Sequence, residues 1–172
     1  MRNYLLILIA AFLASCADSH QILRVTSNSV KLNKKASAYI SIPRDGRYGQ
    51  ISYAGSGATA AQTILSSFSK YLTQVETGNE YQSYKDALSY AKNNGFDYLI
   101  FPSILAWEDR ATEWSGIPDR ASIKIAIINV STSKTIDSAI INGKSGIATF
   151  GGDHPQDLLV KPMNDYVKTL FQ

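Results

Sequence analysis

The run Tyr98-Leu99-Ile100-Phe101 constrains this chain more than any other stretch. Four consecutive apolar residues cannot alternate between core and solvent, so the strand that holds them, Tyr98 to Trp107, is expected to be covered on both faces. Such a strand lies inside a sheet and needs helices over it. Two helices are readable upstream. Ala61, Ile64, Leu65, Phe68, Tyr71 and Leu72 recur at three- and four-residue spacing, and Thr59 with Gln62 fits a capping box at their head. Tyr84, Ala87, Leu88 and Ala91 form the stripe of a second helix from Ser83 to Asn93, which Asn94-Gly95 closes as a C-terminal cap.

The remaining strands are shorter signals. Ala36 to Ile42 alternates and stops at Pro43, Gln50 to Ala54 reads as a short extended piece, and Val75 falls in a brief strand before Gly78. Downstream, Ser122 to Val130 puts Ile123, Ile125 and Ile127 on one face. Thr135 to Lys144 follows a turn at Ser131-Thr132-Ser133, and together these predict an antiparallel meander. Pro155 suits the first turn of a last helix carrying Leu159, Met163, Tyr166, Val167 and Leu170, in which Pro162 marks a kink or the true start. The order β-α-β-α-β-β-β-α predicts an α/β (α+β) fold: a single mixed sheet with a three-strand antiparallel meander, packed by about three helices. One domain over residues 36–172 accommodates it.

The other constraint is at the N-terminus. Met1-Arg2-Asn3 precedes an apolar run from Tyr4 to Ala14, which is too short to span roughly 30 Å of hydrocarbon and reads as a secretory signal. Leu13-Ala14-Ser15-Cys16 resembles the lipobox of bacterial lipoprotein precursors. By that resemblance residues 1–15 are a lipoprotein signal peptide, Cys16 becomes the mature N-terminus, and its sulfur carries lipid, with palmitate among the acyl groups. Residues 16–35 are then the lipidated N-terminus and a tether, with room for a short strand at Ile22 to Thr26. Two or three acyl chains hold a protein firmly where one does not. Ala17 follows the cysteine where inner-membrane retention would favour aspartate, so the expected place is the cell envelope, on the outer membrane facing the periplasm.

A further resemblance rests on the stretch beginning at Ala87 (ALSYAKNNGFDYLI), the strand ending in Trp107-Glu108-Asp109-Arg110, and the turn NVSTSKTI. Over residues 36–171 the chain resembles an uncharacterised family of small bacterial lipoproteins, a domain of unknown function. More distantly it is similar to the sandwich of the TolB N-terminal domain, the curli-secretion lipoprotein and the lipoprotein activators of penicillin-binding proteins. The resemblance implies a domain that binds envelope proteins rather than a catalyst, and it assigns no binding residue.

Chemistry is sparse. A single cysteine excludes an internal disulfide and a four-cysteine zinc site, and His20 and His154 have no histidine at ligand spacing, so no metal is expected. A net charge of +3 without long single-sign runs argues against nucleic acid. Gly55-Ser56-Gly57-Ala58-Thr59-Ala60 matches a dinucleotide pattern in form, but no buried apolar strand precedes it, so no cofactor is expected. Asp153 beside His154 lacks a serine in a nucleophile elbow and reads as a helix cap before Pro155. Tyr71, Tyr81, Tyr84 and Tyr90 fit core packing or an aromatic partner surface.

The one cluster with binding character is Trp107, Glu108, Asp109, Arg110, Glu113 and Trp114. Three carboxylates, an arginine and two indoles suit a ligand or partner surface, or an acid pair acting on cell-wall polymer; cross-strand ion pairs account for the same residues. Two readings follow: a protein-binding or scaffolding lipoprotein with an envelope partner and no enzymatic activity, or a periplasmic enzyme or glycan-binding module. Carboxylates in a deep pocket favour the second, and carboxylates on an open sheet paired with Arg110 or Arg120 favour the first. A pore-forming or oligomeric secretion component is disfavoured, because no pair of long alternating hairpins is available for a barrel.

Overall fold

A computed structural model describes residues 18–27, 31–109, 117–146 and 154–172. Among these residues eight strands and three helices follow in the order β1 (Ser19–Ser27), β2 (Ser37–Ile42), β3 (Arg47–Tyr48), β4 (Ile51–Ser52), α1 (Ser56–Phe68), β5 (Gln74–Tyr81), α2 (Tyr84–Asn93), β6 (Tyr98–Glu108), β7 (Arg120–Asn129), β8 (Lys134–Lys144) and α3 (Asp157–Phe171). Six strands form one mixed sheet ordered β1-β8-β7-β6-β2-β5, and β3 with β4 makes a separate two-stranded hairpin. The expected fold class and element order hold, and β6 is an inner strand as its apolar run requires.

The crossover rule explains where the helices sit. The chain leaves β2 through α1 to reach β5 on one side, then returns through α2 to reach β6 on the other, and all three strands are parallel. Right-handed connections running in opposite directions put their helices on opposite faces. Accordingly α1 packs with α3 over a core that includes Ile40, Ile64, Phe68, Ile100, Ile125 and Met163. The face of α2 holds a smaller cluster of Tyr39, Ala87, Ala91, Phe96, Leu99, Ile128 and Val130. The stripe of α3 is buried throughout: Leu159, Met163, Tyr166, Val167 and Leu170 are all at or below 4% exposure. Each such side chain contributes roughly 1.5–3 kcal/mol on leaving water.

Several local expectations are corrected. The segment read mainly as a tether contains a nine-residue edge strand, β1, paired antiparallel with β8 from Ser19↔Lys144 to Ser27↔Asp137. The strand expected to end before Gly78 runs on to Tyr81, because glycine is what fits under the Tyr39 hydroxyl: a Cβ at 78 would lie 2.6 Å from it. Pro162 lies inside α3, five residues past its start, and so does not mark the helix's beginning. Asp153 lies outside the described residues; α3 follows Gln156, which makes no side-chain cap, and the Asp157 carboxylate accepts instead from the His154 backbone N–H at 3.2 Å.

The capping box at Thr59 and Gln62 does not form, since α1 starts three residues earlier after Gly55 at φ 86°. Its cap comes from a distance. The Asp45 carboxylate accepts from the N–H of Gly57 at 2.8 Å and of Gly55 at 3.0 Å, while Thr59 donates its hydroxyl back to Gly55 O. The second helix behaves as expected: Ser83 accepts from Asp86 N, and Gly95 takes φ 72° after its last turn.

Candidate functional site

The sheet register shows which side chains share each face. In β7, Ala121, Ile123, Ile125 and Ile127 belong to the core under α1 and α3, so Arg120, Ser122, Lys124 and Ala126 point to the opposite face. Cross-strand partners extend that face into four rows: Ser19, Lys144, Arg120, Glu108; Gln21, Asn142, Ser122, Ala106; Leu23, Ile140, Lys124, Ser103; and Thr26, Ser138, Ala126, Phe101. Among the described residues α2 packs over Leu99 and Phe101 of β6 and over Ile128 near the end of β7, so the part formed by β1, β8, the start of β7 and the end of β6 beyond Phe101 lies outside that cluster.

This part of the sheet is neither a solvated polar surface nor a core. Leu23 is 44% exposed and Leu105, extruded at a bulge in β6, is 53% exposed. Ser122, Ala126, Ile140 and Asn142 are half-buried, and Ser122 donates to Asn142 Oδ1 at 2.6 Å. Ser138 is 4% exposed with its hydroxyl unpartnered. At the end where β1 begins, the first two rows border a wide-mouthed hollow of about 460 Å³ lined by Gln21, Ala106, Glu108, Arg120, Asn142 and Lys144, among others. Among the described residues it combines one carboxylate, Glu108, with two cations, Arg120 and Lys144.

The cluster expected from sequence is divided. Trp107 is 4% exposed and packs in the core, with Ala121 as its register partner and Gly46 pressed against it. Strand alternation turns it to the helix-covered face, so it offers no surface platform. Glu108 points the other way and stands opposite Arg120 on the neighbouring strand. Asp109 is exposed, and His154 Nδ1 lies 3.8 Å from its Oδ2. Arg110, Glu113 and Trp114 lie outside the described residues, as does Cys16. Of the three described members, Trp107, Glu108 and Asp109, Glu108 alone lines the hollow.

Other candidate positions serve the fold. The anion cradle at the head of α1 is filled by the chain's own Asp45, and a Cβ at Gly57 would meet Pro43 O at 2.3 Å. His20 sits 3.7 Å from Asp165, whose carboxyl is held below its usual range first by the hydrogen bond from Lys161. Among the described residues no group of three His, Cys, Asp or Glu side chains could hold a metal, and no helix is long and apolar enough to cross a membrane. Sequence reading missed Leu23, Ser122, Ile140 and Asn142. Their signal lay in the small and polar residues that alternate with the isoleucine stripe of β7.

A family model described as a domain of unknown function (DUF4823) matches residues 30–170, and the chain belongs to that family. No curated protein matches it. Among solved structures it is similar to the PelC dodecamer from Paraburkholderia phytofirmans at 12% identity and TM-score 0.66, covering 88% of this chain and 97% of that one. A Xanthomonas campestris protein of the DUF330 family model is similar at 10% identity and TM-score 0.50, covering 88% of this chain and 91% of that one. The LpoB C-terminal domain from Salmonella enterica is similar at 12% identity and TM-score 0.44, covering 70% and 87%. At these identities the likeness to the first two is one of fold alone.

Proposed function

We propose that this member of the DUF4823 family is a lipid-anchored lipoprotein of the cell envelope, held through Cys16 on the outer membrane facing the periplasm. Its domain binds or scaffolds another protein and catalyses no reaction. The observation that carries the binding role is the part of the sheet outside the α2 cluster. Leu23, Leu105 and Ile140 leave apolar surface in water there, between polar residues able to set register with a partner. The placement of Glu108 supports it, since this carboxylate stands opposite the Arg120 cation across an open sheet. The fold's likeness to PelC, a dodecamer, makes a second copy of this chain one candidate for the partner.

A photoreactive amino acid in place of Lys124, mid-face, tests this in intact cells, with the same group at Lys70 beside α1 as control. The expected result is an adduct of one defined mass at position 124, either with another envelope protein or at twice the chain's own mass. Adducts no stronger at 124 than at 70 contradict the reading.

A further inference from the structure

We infer that the end of the domain where β1 begins lies against the lipid surface, with the hairpin of β3 and β4 and the segment before β7 touching the bilayer at Tyr48, Ile51 and Ile117. This inference rests on lipidation at Cys16. Ser19, the first residue of β1, is three residues beyond Cys16, so the anchored sulfur's backbone is at most roughly 11 Å from the sheet. The eleven residues of β6 extend roughly 36 Å, so the opposite end of the sheet is well beyond that reach. Strand direction determines what shares the anchored end: the start of β1, the ends of β2, β5, β6 and β8, and the start of β7. The β3–β4 hairpin follows β2 there, and Ile117 precedes β7 there.

The two ends differ in chemistry. At the anchored end Ile51 is 57% exposed, Ile117 47% and Tyr48 40%, and Tyr48 and Ile51 are register partners that present one apolar pair on the hairpin. Arg47 beside them and Lys144 at the end of β8 are exposed, which suits phosphate headgroups next to shallow apolar contacts. Two carboxylates at this end are engaged by the protein, Asp45 by the head of α1 and Asp18 by Gly146 N at 3.0 Å, while Glu80 and Asp109 stay exposed, the latter with His154 Nδ1 3.8 Å away. At the far end the described turns 31–36, 69–73, 94–97 and 130–133 carry no exposed large hydrophobic side chain. Tyr90, in the last turn of α2, is exposed near that end beside Tyr39, so what sets the anchored end apart is two exposed isoleucines, Ile51 and Ile117, close to the exposed cations Arg47 and Lys144.

A lipidated Cys16 has no free thiol, so one introduced cysteine becomes the unique labelling site of the mature protein. Ile51→Cys, Tyr48→Cys and Ile117→Cys, with Lys134→Cys at the far end as control, are labelled with an environment-sensitive dye. They are then reconstituted in phosphatidylethanolamine and phosphatidylglycerol vesicles. The inference predicts blue-shifted emission that is lost with brominated acyl chains at 48, 51 and 117, and neither change at 134. Equal emission at all four positions overturns it while leaving the anchor intact. A blue shift that grows with protein density and ignores brominated lipid assigns this end to a second copy and overturns it as well. Reaction of the unsubstituted mature protein with the dye shows a free Cys16 thiol, and removes the anchor and the inference together.

Discussion

The Tyr166 hydroxyl donates to Asp137 Oδ1 at 2.7 Å inside the domain, joining α3 to β8 beneath the edge strand β1. Arg24 of β1 closes the group, 3.7 Å from Asp137 Oδ2 and 5.8 Å over the Tyr166 ring. The same arginine donates to Thr169 at 2.6 Å. Tyr166→Phe removes the donor and leaves a carboxylate that is 5% exposed short of a partner. The expected loss is about 1–3 kcal/mol of unfolding free energy, read from denaturant titration.

The same phenol sets an alkaline limit. Burial, then the hydrogen bond and charge of Asp137, raise its pKa in the folded state well above the ordinary 10.0. The phenol is protonated in both states below that value, so its contribution is fully present there. Above it the unfolded chain ionises first, and stability falls as pH rises. Unfolding followed from about pH 9 to about pH 11 is expected to lose up to about 1.4 kcal/mol per pH unit from this group. Tyr166→Phe flattens that slope in part, because Tyr39, raised chiefly by burial, retains the same sign.

Asp45 caps α1 from the turn that precedes the hairpin, so Asp45→Ala exposes the loss of two backbone partners at once. A reduction of about 1–2 kcal/mol is expected in denaturant unfolding. Thr59→Ala, which leaves that cap in place, is expected to change stability by less than about 0.5 kcal/mol.

Trp107 separates packing from ligand binding. Truncation of a buried indole destabilises by about 3–5 kcal/mol, so Trp107→Ala is expected to lower the denaturation midpoint sharply. An unchanged midpoint would place the indole at the surface after all.

Much of the architecture was legible because period and burial agree in this sequence. The apolar run at Tyr98 to Phe101 marked an inner strand, and the isoleucines of β7 marked the core face. What was not legible depended on contacts distant in sequence. Residues 19–27 look like a linker because their polar members, Ser19, Gln21 and Arg24, acquire partners only when β8 arrives more than a hundred residues later. The cap of α1 was assigned to Thr59 because Asp45 approaches from beyond the local window. For the candidate site, the cluster around Trp107 was found by composition but divided by strand alternation, which turned the indole inward and Glu108 outward. The open part of the sheet escaped notice because no single strand shows it. It exists only where Ser122, Ile140, Asn142 and Leu23 line up across strands.

The claim on which the functional account depends is that the chain is held in the envelope by lipid on Cys16. Intact mass measurement of the mature protein purified from membranes tests it most directly. The predicted species begins at Cys16 and carries the added mass of a diacylglyceryl group, with or without a further amide-linked acyl chain. A species that retains residues 1–15, or that begins at Cys16 with no added mass, contradicts it.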